Sequence, residues 1–298
     1  MNCLTIDVED WFHILDSDSV PPQGQWASLE SRVEDCLARI LDLLDEASAT
    51  ATFFWLGWVA ERHKALVRRC IENGHEVASH GYAHVLAHKV GRTRFREDVC
   101  RAKALLEDIT GHHIAGFRAP GFGVTGATPW AFDVIREAGH VYDSSVFPAS
   151  RAHGGIAGAE LEPSFIETPS GLLLELPMSV IDIFGWRTSV FGGGYLRLAP
   201  VPLIKWGIRQ LQRAGRPLVI YLHPREIDPD HPRLALSPWR RFKSYVNLKS
   251  TLPKLEWLCR DYSFRTMGEV ALSCMPSPGQ RSLNTCASPA LRFVPRQI

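Results

Sequence analysis

The chain is poor in several features that would have marked a function class. Its 33 Lys and Arg against 32 Asp and Glu leave a formal charge of +1, so it lacks the basic field a nucleic-acid partner requires. Seven cysteines (Cys3, Cys36, Cys70, Cys100, Cys259, Cys274 and Cys286) are scattered and odd in number. None forms a CxxC pair, which excludes a zinc ribbon or dithiol redox motif and favours a reducing compartment. No run approaches the roughly 18 apolar residues of a membrane-spanning helix. The start, Met1 to Asp7, lacks the basic stretch and long apolar core of an export signal. These absences lead us to expect a cytoplasmic protein with at most peripheral membrane contact. Internal repeats are absent, and Gly192-Gly193-Gly194 lacks the Lys-Ser/Thr of a phosphate loop, which leaves a loop lining a site as the simpler reading.

What is present is an ordinary globular composition, 45% hydrophobic and 22% charged, with strands and helices in alternation. Short apolar or β-branched runs stand at residues 3–6, 50–56, 76–79, 116–118, 140–142, 172–176 and 218–222. Between them lie amphipathic stretches, the first carrying Val33, Leu37, Ile40, Leu41 and Leu44, with Ser31 and Glu34 spaced as a capping box. Titratable residues recur just past strand ends: Asp7, His80, Arg118, Asp143 and His223. A rim of this kind is what a distorted (β/α) barrel produces, and it favours that α/β fold over a doubly wound sheet with a single switch point. Residues 144–200 are aperiodic and rich in Gly and Pro, consistent with long loops or an inserted strand pair. One domain over 1–274 and a disordered tail over 275–298 are expected.

The chemistry concentrates in three segments. His80 and His84 are four apart and can converge on one metal; an oxygen ligand from Glu9 or Asp10 would complete a catalytic set with open positions. Such a set suits zinc and also non-haem iron. Asp7-Val8-Glu9-Asp10 places three acids in four positions, where mutual repulsion calls for a cation, and Arg118 is a second source of relief. His223, ending an apolar strand, is positioned to protonate a leaving group. Two further features are weighed against a plain structural role. Nine tryptophans include residues that could stack on sugars. Trp239, Arg240, Arg241, Phe242 and Lys243 form a basic-aromatic patch suited to an anionic lipid or nucleotide, or simply a solvated face.

In chain order these pieces resemble the NodB-type polysaccharide deacetylases, carbohydrate esterase family 4. Thr5-Ile6-Asp7-Val8-Glu9-Asp10 is similar to the family's first motif, and Ala51-Thr52-Phe53-Phe54 through Gly57 to its second-strand signature. Ser79-His80-Gly81-Tyr82-Ala83-His84 is similar to its metal motif. Phe117-Arg118-Ala119-Pro120 resembles Arg-x-x-Pro with the proline one place early, and Leu222-His223 the closing Leu-His. Asp-Val-Glu-Asp-Trp-Phe at 7–12, the 192–198 segment and 223–229 resemble a subfamily associated with exopolysaccharide and exosortase loci, with an extra C-terminal segment. The resemblance implies a divalent metal, usually zinc, held by His80, His84 and Glu9 or Asp10. It implies Asp7 as base, Arg118 as its partner, His223 as acid and Asp143 as the group orienting His223. The implied substrate is an N-acetylated amino-sugar polysaccharide, oligosaccharide or lipid-linked precursor. Alternatives are a deformylase or allantoinase-like amide hydrolase, or a silent sugar-binding barrel.

Overall fold

The computed structural model describes residues 1–15, 17, 19–150, 154–275 and 293–294. Among the described residues eleven strands are formed: β1 (Asn2–Val8), β2 (Thr52–Trp55), β3 (Glu76–Ser79), β4 (Gly116–Phe117), β5 (Tyr142–Asp143), β6 (Ser164–Thr168), β7 (Gly171–Glu175), β8 (Ile181–Ile183), β9 (Trp186–Thr188), β10 (Leu218–Leu222) and β11 (Phe293–Val294). Nine of them make one curled sheet in the order β10-β1-β2-β3-β4-β5-β7-β6-β11, parallel from β10 to β7, with β6 and β11 antiparallel at one edge. This is a distorted, open (β/α) barrel. The end strands β10 and β11 do not pair with each other. Beside β10 the chain between β7 and the helix Val201–Arg213 fills in: the Phe191 carbonyl accepts from Tyr221 N–H at 3.0 Å, and Ser179 Oγ from Val219 N–H at 2.7 Å.

Strand alternation divides the core in two. On β1, Leu4, Ile6 and Val8 pack outward against the helices, together with Phe53, Trp55, Ile220 and Leu222. Cys3, Phe54, Ala78, Tyr142, Leu174, Val219 and Tyr221 fill the barrel interior. The helix Val33–Glu46 buries Val33, Cys36, Leu37, Ile40, Leu41 and Leu44, one apolar stripe at helical spacing. Its start differs from the expected capping box. The helix begins at Val33, and Asp10 accepts from Arg32 N–H at 3.2 Å and from the Ser31 hydroxyl at 2.5 Å. A carboxylate brought in from the β1 loop thus does the work assigned to Ser31 and Glu34. A reciprocal capping box does form, at Thr266 and Glu269.

Residues 144–200 contain two hairpins, β6–β7 and β8–β9, and a short helix Gly193–Leu198 where a loop was expected. Most of the proposed tail lies outside the described residues; within it, β11 pairs with β6. The six described cysteines are free thiols. No helix among the described residues is long and apolar enough to cross a membrane.

Candidate active site

Parallel register sets the site. Val8 aligns with Trp55, Trp55 with Ser79, Ser79 with Phe117, and Phe117 with Asp143, forming one row at the C-terminal rim of the sheet. One residue beyond that row stand Glu9, His80 and Arg118. On the other side of β1, Ile6 aligns with Leu222, so His223 comes level with Asp7. Because alternate residues point inward, Asp7 on β1 faces the barrel mouth.

Glu9, His80 and His84 converge: Glu9 Oε1 lies 3.1 Å from His80 Nε2 and 2.7 Å from His84 Nε2, and all three side chains are buried. His80 Nδ1 lies 2.8 Å from the Arg118 carbonyl. A carbonyl only accepts, so Nδ1 carries the hydrogen, and a neutral His80 turns an Nε2 lone pair toward a carboxylate oxygen. Two electron-rich atoms at that distance need a cation between them. Burial pushes the Glu9 carboxyl up, but positive charge at this spot, carried by protonated imidazoles in place of a metal, outweighs burial and holds it well below the usual carboxylate range. The three donors lie within 4.8 Å of one another, and a carbonyl orienting a ligand imidazole is the usual outer support of a metal site. The set therefore fits a divalent metal.

Asp10, the other candidate ligand, points elsewhere. Its carboxylate accepts from Trp11 N–H, Ser31 Oγ and Arg32 N–H, so its lone pairs serve the start of a helix. Asp7 Oδ1 accepts from Arg118 Nη1 at 2.6 Å. The guanidinium is fully buried and also donates to Thr5 Oγ1 and to the Ser144 carbonyl and hydroxyl, with its Cζ 4.0 Å above the Phe54 ring centre. Arg118 thus fixes Asp7 with its side chain and His80 with its backbone.

The partner of His223 is Glu226, whose Oε1 lies 3.2 Å from Nδ1, while Nε2 faces Glu9 Oε1 at 3.8 Å. Burial lowers the His223 pKa, and the negative charges of Glu9 and Glu226 outweigh it, for a net rise. Asp143, expected in that orienting role, instead accepts from Ser145 Oγ at 2.6 Å and sits opposite Glu175 in the sheet. Burial raises the pKa of both carboxyls, and Glu175, repelled by its neighbour, stands well above the usual range. The pair acts as a structural brace: Glu175 Oε1 accepts from Val146 N–H at 3.0 Å, and Ser145 Oγ in turn accepts from Ala119 N–H, next to Arg118.

Asp98 is a residue the sequence reading missed. It accepts from Tyr82 N–H at 2.7 Å and Ala83 N–H at 2.8 Å, clamping the loop between the two histidines. That loop is conformationally demanding: His84 has φ 54° and Gly81 φ 73°, both in the left-handed region. A Cβ on Gly81 would also lie 2.6 Å from Asp98 Oδ2, so clamp and glycine depend on each other.

These groups open onto a cavity of about 360 Å³ lined by Asp7, Glu9, His84, Tyr221, His223 and the helix Pro238–Tyr245, among others. That volume suits a small-ligand site. Residues 23–141 match the family model "Polysaccharide deacetylase". That segment is a polysaccharide deacetylase domain. Residues 144–272 match a second model, a domain of unknown function designated DUF3473. The deacetylase match includes His80, His84 and Arg118, whereas His223 and Glu226 fall in the second segment.

Among curated proteins, the chain is similar to a peptidoglycan-N-acetylglucosamine deacetylase of Bacillus cereus, 30% identical over 102 residues, covering 34% of this chain and 46% of that one. It is also similar to a chitooligosaccharide deacetylase of Sinorhizobium fredii, 33% identical over 97 residues, covering 32% and 42%. The matched segment spans less than half of either relative. Among solved structures, a Mycobacterium smegmatis protein described as a polysaccharide deacetylase superposes with a TM-score of 0.60 at 20% identity, covering 97% of this chain and 94% of the other. The Puue allantoinase superposes at 0.56 and 20%, covering 90% and 82%. At such identities these two likenesses establish the fold.

Proposed function

We propose that this chain is a zinc-dependent N-deacetylase of amino-sugar glycans or their precursors, with residues 1–274 as its working unit. The observation that carries the reading is the convergence of Glu9, His80 and His84 between an Arg118-held Asp7 and a Glu226-held His223. Two nitrogen donors and one carboxylate suit zinc and leave positions for water and substrate. A divalent cation held there supplies Lewis-acid polarisation of the acetamide.

The chain's own groups do the proton work. Asp7, held by Arg118, takes the proton from the attacking water. The buried guanidinium keeps the carboxylate from rotating away and stabilises its charge. His223 gives a proton to the departing nitrogen, without which the amine is a poor leaving group. Glu226 accepts the Nδ1 hydrogen, so Nε2 is the atom presented to substrate. The deacetylase relatives support an amino-sugar glycan over another amide.

The test is Asp7→Asn on zinc-loaded protein. We expect near-unchanged zinc content and acetate release from N-acetylated chito-oligosaccharides lowered by at least about 100-fold. An Asn variant as active as the wild type, or wild-type protein that hydrolyses allantoin but no N-acetylated glycan, rejects the reading.

A further inference from the structure

Beyond the reacting groups, the outer wall of the same cavity is built differently from its floor. The floor's carboxylates are all committed: Asp7 to Arg118, Glu9 to the two histidines, Glu226 to His223. The wall carries Arg225, Arg240 and Lys243, and among the described residues none of the three has a carboxylate within ion-pair distance. Arg225 follows the acid His223 by two residues and lines the cavity, and among the described residues its Nε and Nη1 have no hydrogen-bond partner.

The same wall holds an apolar platform. Trp239 and Phe242 stack with ring centres 5.8 Å apart at 14°, yet are 66% and 46% exposed. Lys243 Nζ lies 5.5 Å from the Trp239 ring centre. The platform is rigidly mounted. Its helix, Pro238–Tyr245, ends on the buried Arg197, which donates to the Lys243 and Ser244 carbonyls at 2.8 and 2.9 Å. Lys254 in turn donates to the carbonyls of Leu196, Arg197 and Ala199. A flat, preorganised aromatic surface loses little entropy on binding, and a pyranose offers a matching face of C–H groups.

We infer that this wall is a subsite for an anionic sugar, so that the glycan handled here carries a carboxylate or phosphate near the N-acetylated unit. The inference rests on the deacetylase reading and narrows its substrate class. Trp239 and Phe242 carry the ring, and Arg225, Arg240 and Lys243 meet the charge, with Arg225 able to present a planar fork to an oxyanion. The helix lies in the segment matching the domain of unknown function, outside the deacetylase match, which gives that segment a role in substrate choice.

The experiment titrates zinc-loaded full-length protein with size-matched pairs, following tryptophan fluorescence at low and moderate salt. One pair is N-acetylated chitotetraose against a hyaluronan tetrasaccharide, which adds uronate carboxylates. The other is N-acetylglucosamine against its 1-phosphate. We expect the anionic member of at least one pair to bind about tenfold tighter at low salt, an advantage that shrinks as salt rises. Which pair responds identifies carboxylate or phosphate as the source. Lys243→Gln with Arg225→Gln should bring the ratio close to one, and Trp239→Ala should weaken both members together. Equal binding within both pairs, or an advantage that survives the charge variants, overturns the inference. Acetate assays on the same ligands separate the two claims. Release without anionic preference leaves the deacetylase reading standing and removes the subsite, whereas anionic preference without release from any glycan does the reverse.

Discussion

Replacing Asp98 by alanine would strip the clamp from the histidine loop without touching a ligand. The carboxylate is 9% exposed and accepts two backbone N–H groups at 2.7 and 2.8 Å. Hydrogen bonds to a charged acceptor contribute roughly 1.5–3 kcal/mol each, so the pair is worth about 3–6 kcal/mol before costs. Burial raises the Asp98 pKa, showing that desolvation offsets part of this, and a net loss of about 2–4 kcal/mol is the reasonable expectation. The left-handed φ of His84 is itself unfavourable by about 1–2 kcal/mol, so an unclamped loop relaxes away from the metal-binding conformation. Outer-shell losses of this kind weaken metal binding by about 10- to 100-fold. Asp98→Asn should fall between, because its amide accepts one N–H but turns an NH2 toward the other. Zinc affinity by chelator competition, alongside thermal unfolding, measures both effects. An alanine variant that unfolds earlier yet binds zinc within about twofold of wild type would show that the clamp supports the fold only, and would refute the coupling.

Three further outcomes follow from the geometry. Glu226→Gln removes the negative charge 3.2 Å from His223 Nδ1; the His223 pKa falls, so the alkaline limb of the kcat/KM profile should move to lower pH, with kcat reduced on the order of tenfold. His140 is fully buried and its pKa is lowered from 6.5 to about 3, chiefly by desolvation. The unfolded chain therefore binds a proton that the folded chain refuses, and stability is lost as pH falls from 6.5 toward 3. At pH 5 this amounts to about 2 kcal/mol, so denaturant titrations should show His140→Phe less acid-sensitive than wild type. Gly192→Ala would place a methyl 2.1 Å from the Tyr221 ring and 2.6 Å from its carbonyl oxygen; we expect a loss of about 1–3 kcal/mol in thermal unfolding, as in other overpacked sites.

Much of the barrel was legible because its parallel strands are short, apolar and well punctuated. Leu218–Leu222 and Glu76–Ser79 were read at their observed bounds. In the 144–200 region the strand at 172–176 and an inserted strand pair were legible, but the second hairpin was not, because pairing partners are not recoverable from local spacing. The ambiguity among the clustered acids was one that strand alternation could have narrowed. If Asp7 faces the barrel, Glu9 falls on the same parity and Asp10 on the other, which is where the structure puts them. Glu226 stands three residues beyond His223, within reach of its ring, a local signal that the resemblance to the family's motifs, which points to Asp143, does not carry. Asp98 gave no local signal, because it lies 14 residues beyond His84 on the helix Ala87–Thr110. Only tertiary folding brings it under the loop. The aromatic-basic helix was visible as composition, and its meaning came from its position over the cavity.

The most direct test of the central claim is zinc stoichiometry measured together with acetate release, in wild-type protein and in Glu9→Gln. We expect one tightly held zinc per chain, acetate release from an N-acetylated amino-sugar oligosaccharide that chelator abolishes and zinc restores, and loss of both zinc and activity in the Gln variant. Acetate release that persists in metal-free protein, or a Glu9→Gln variant that keeps its zinc and its rate, would contradict it.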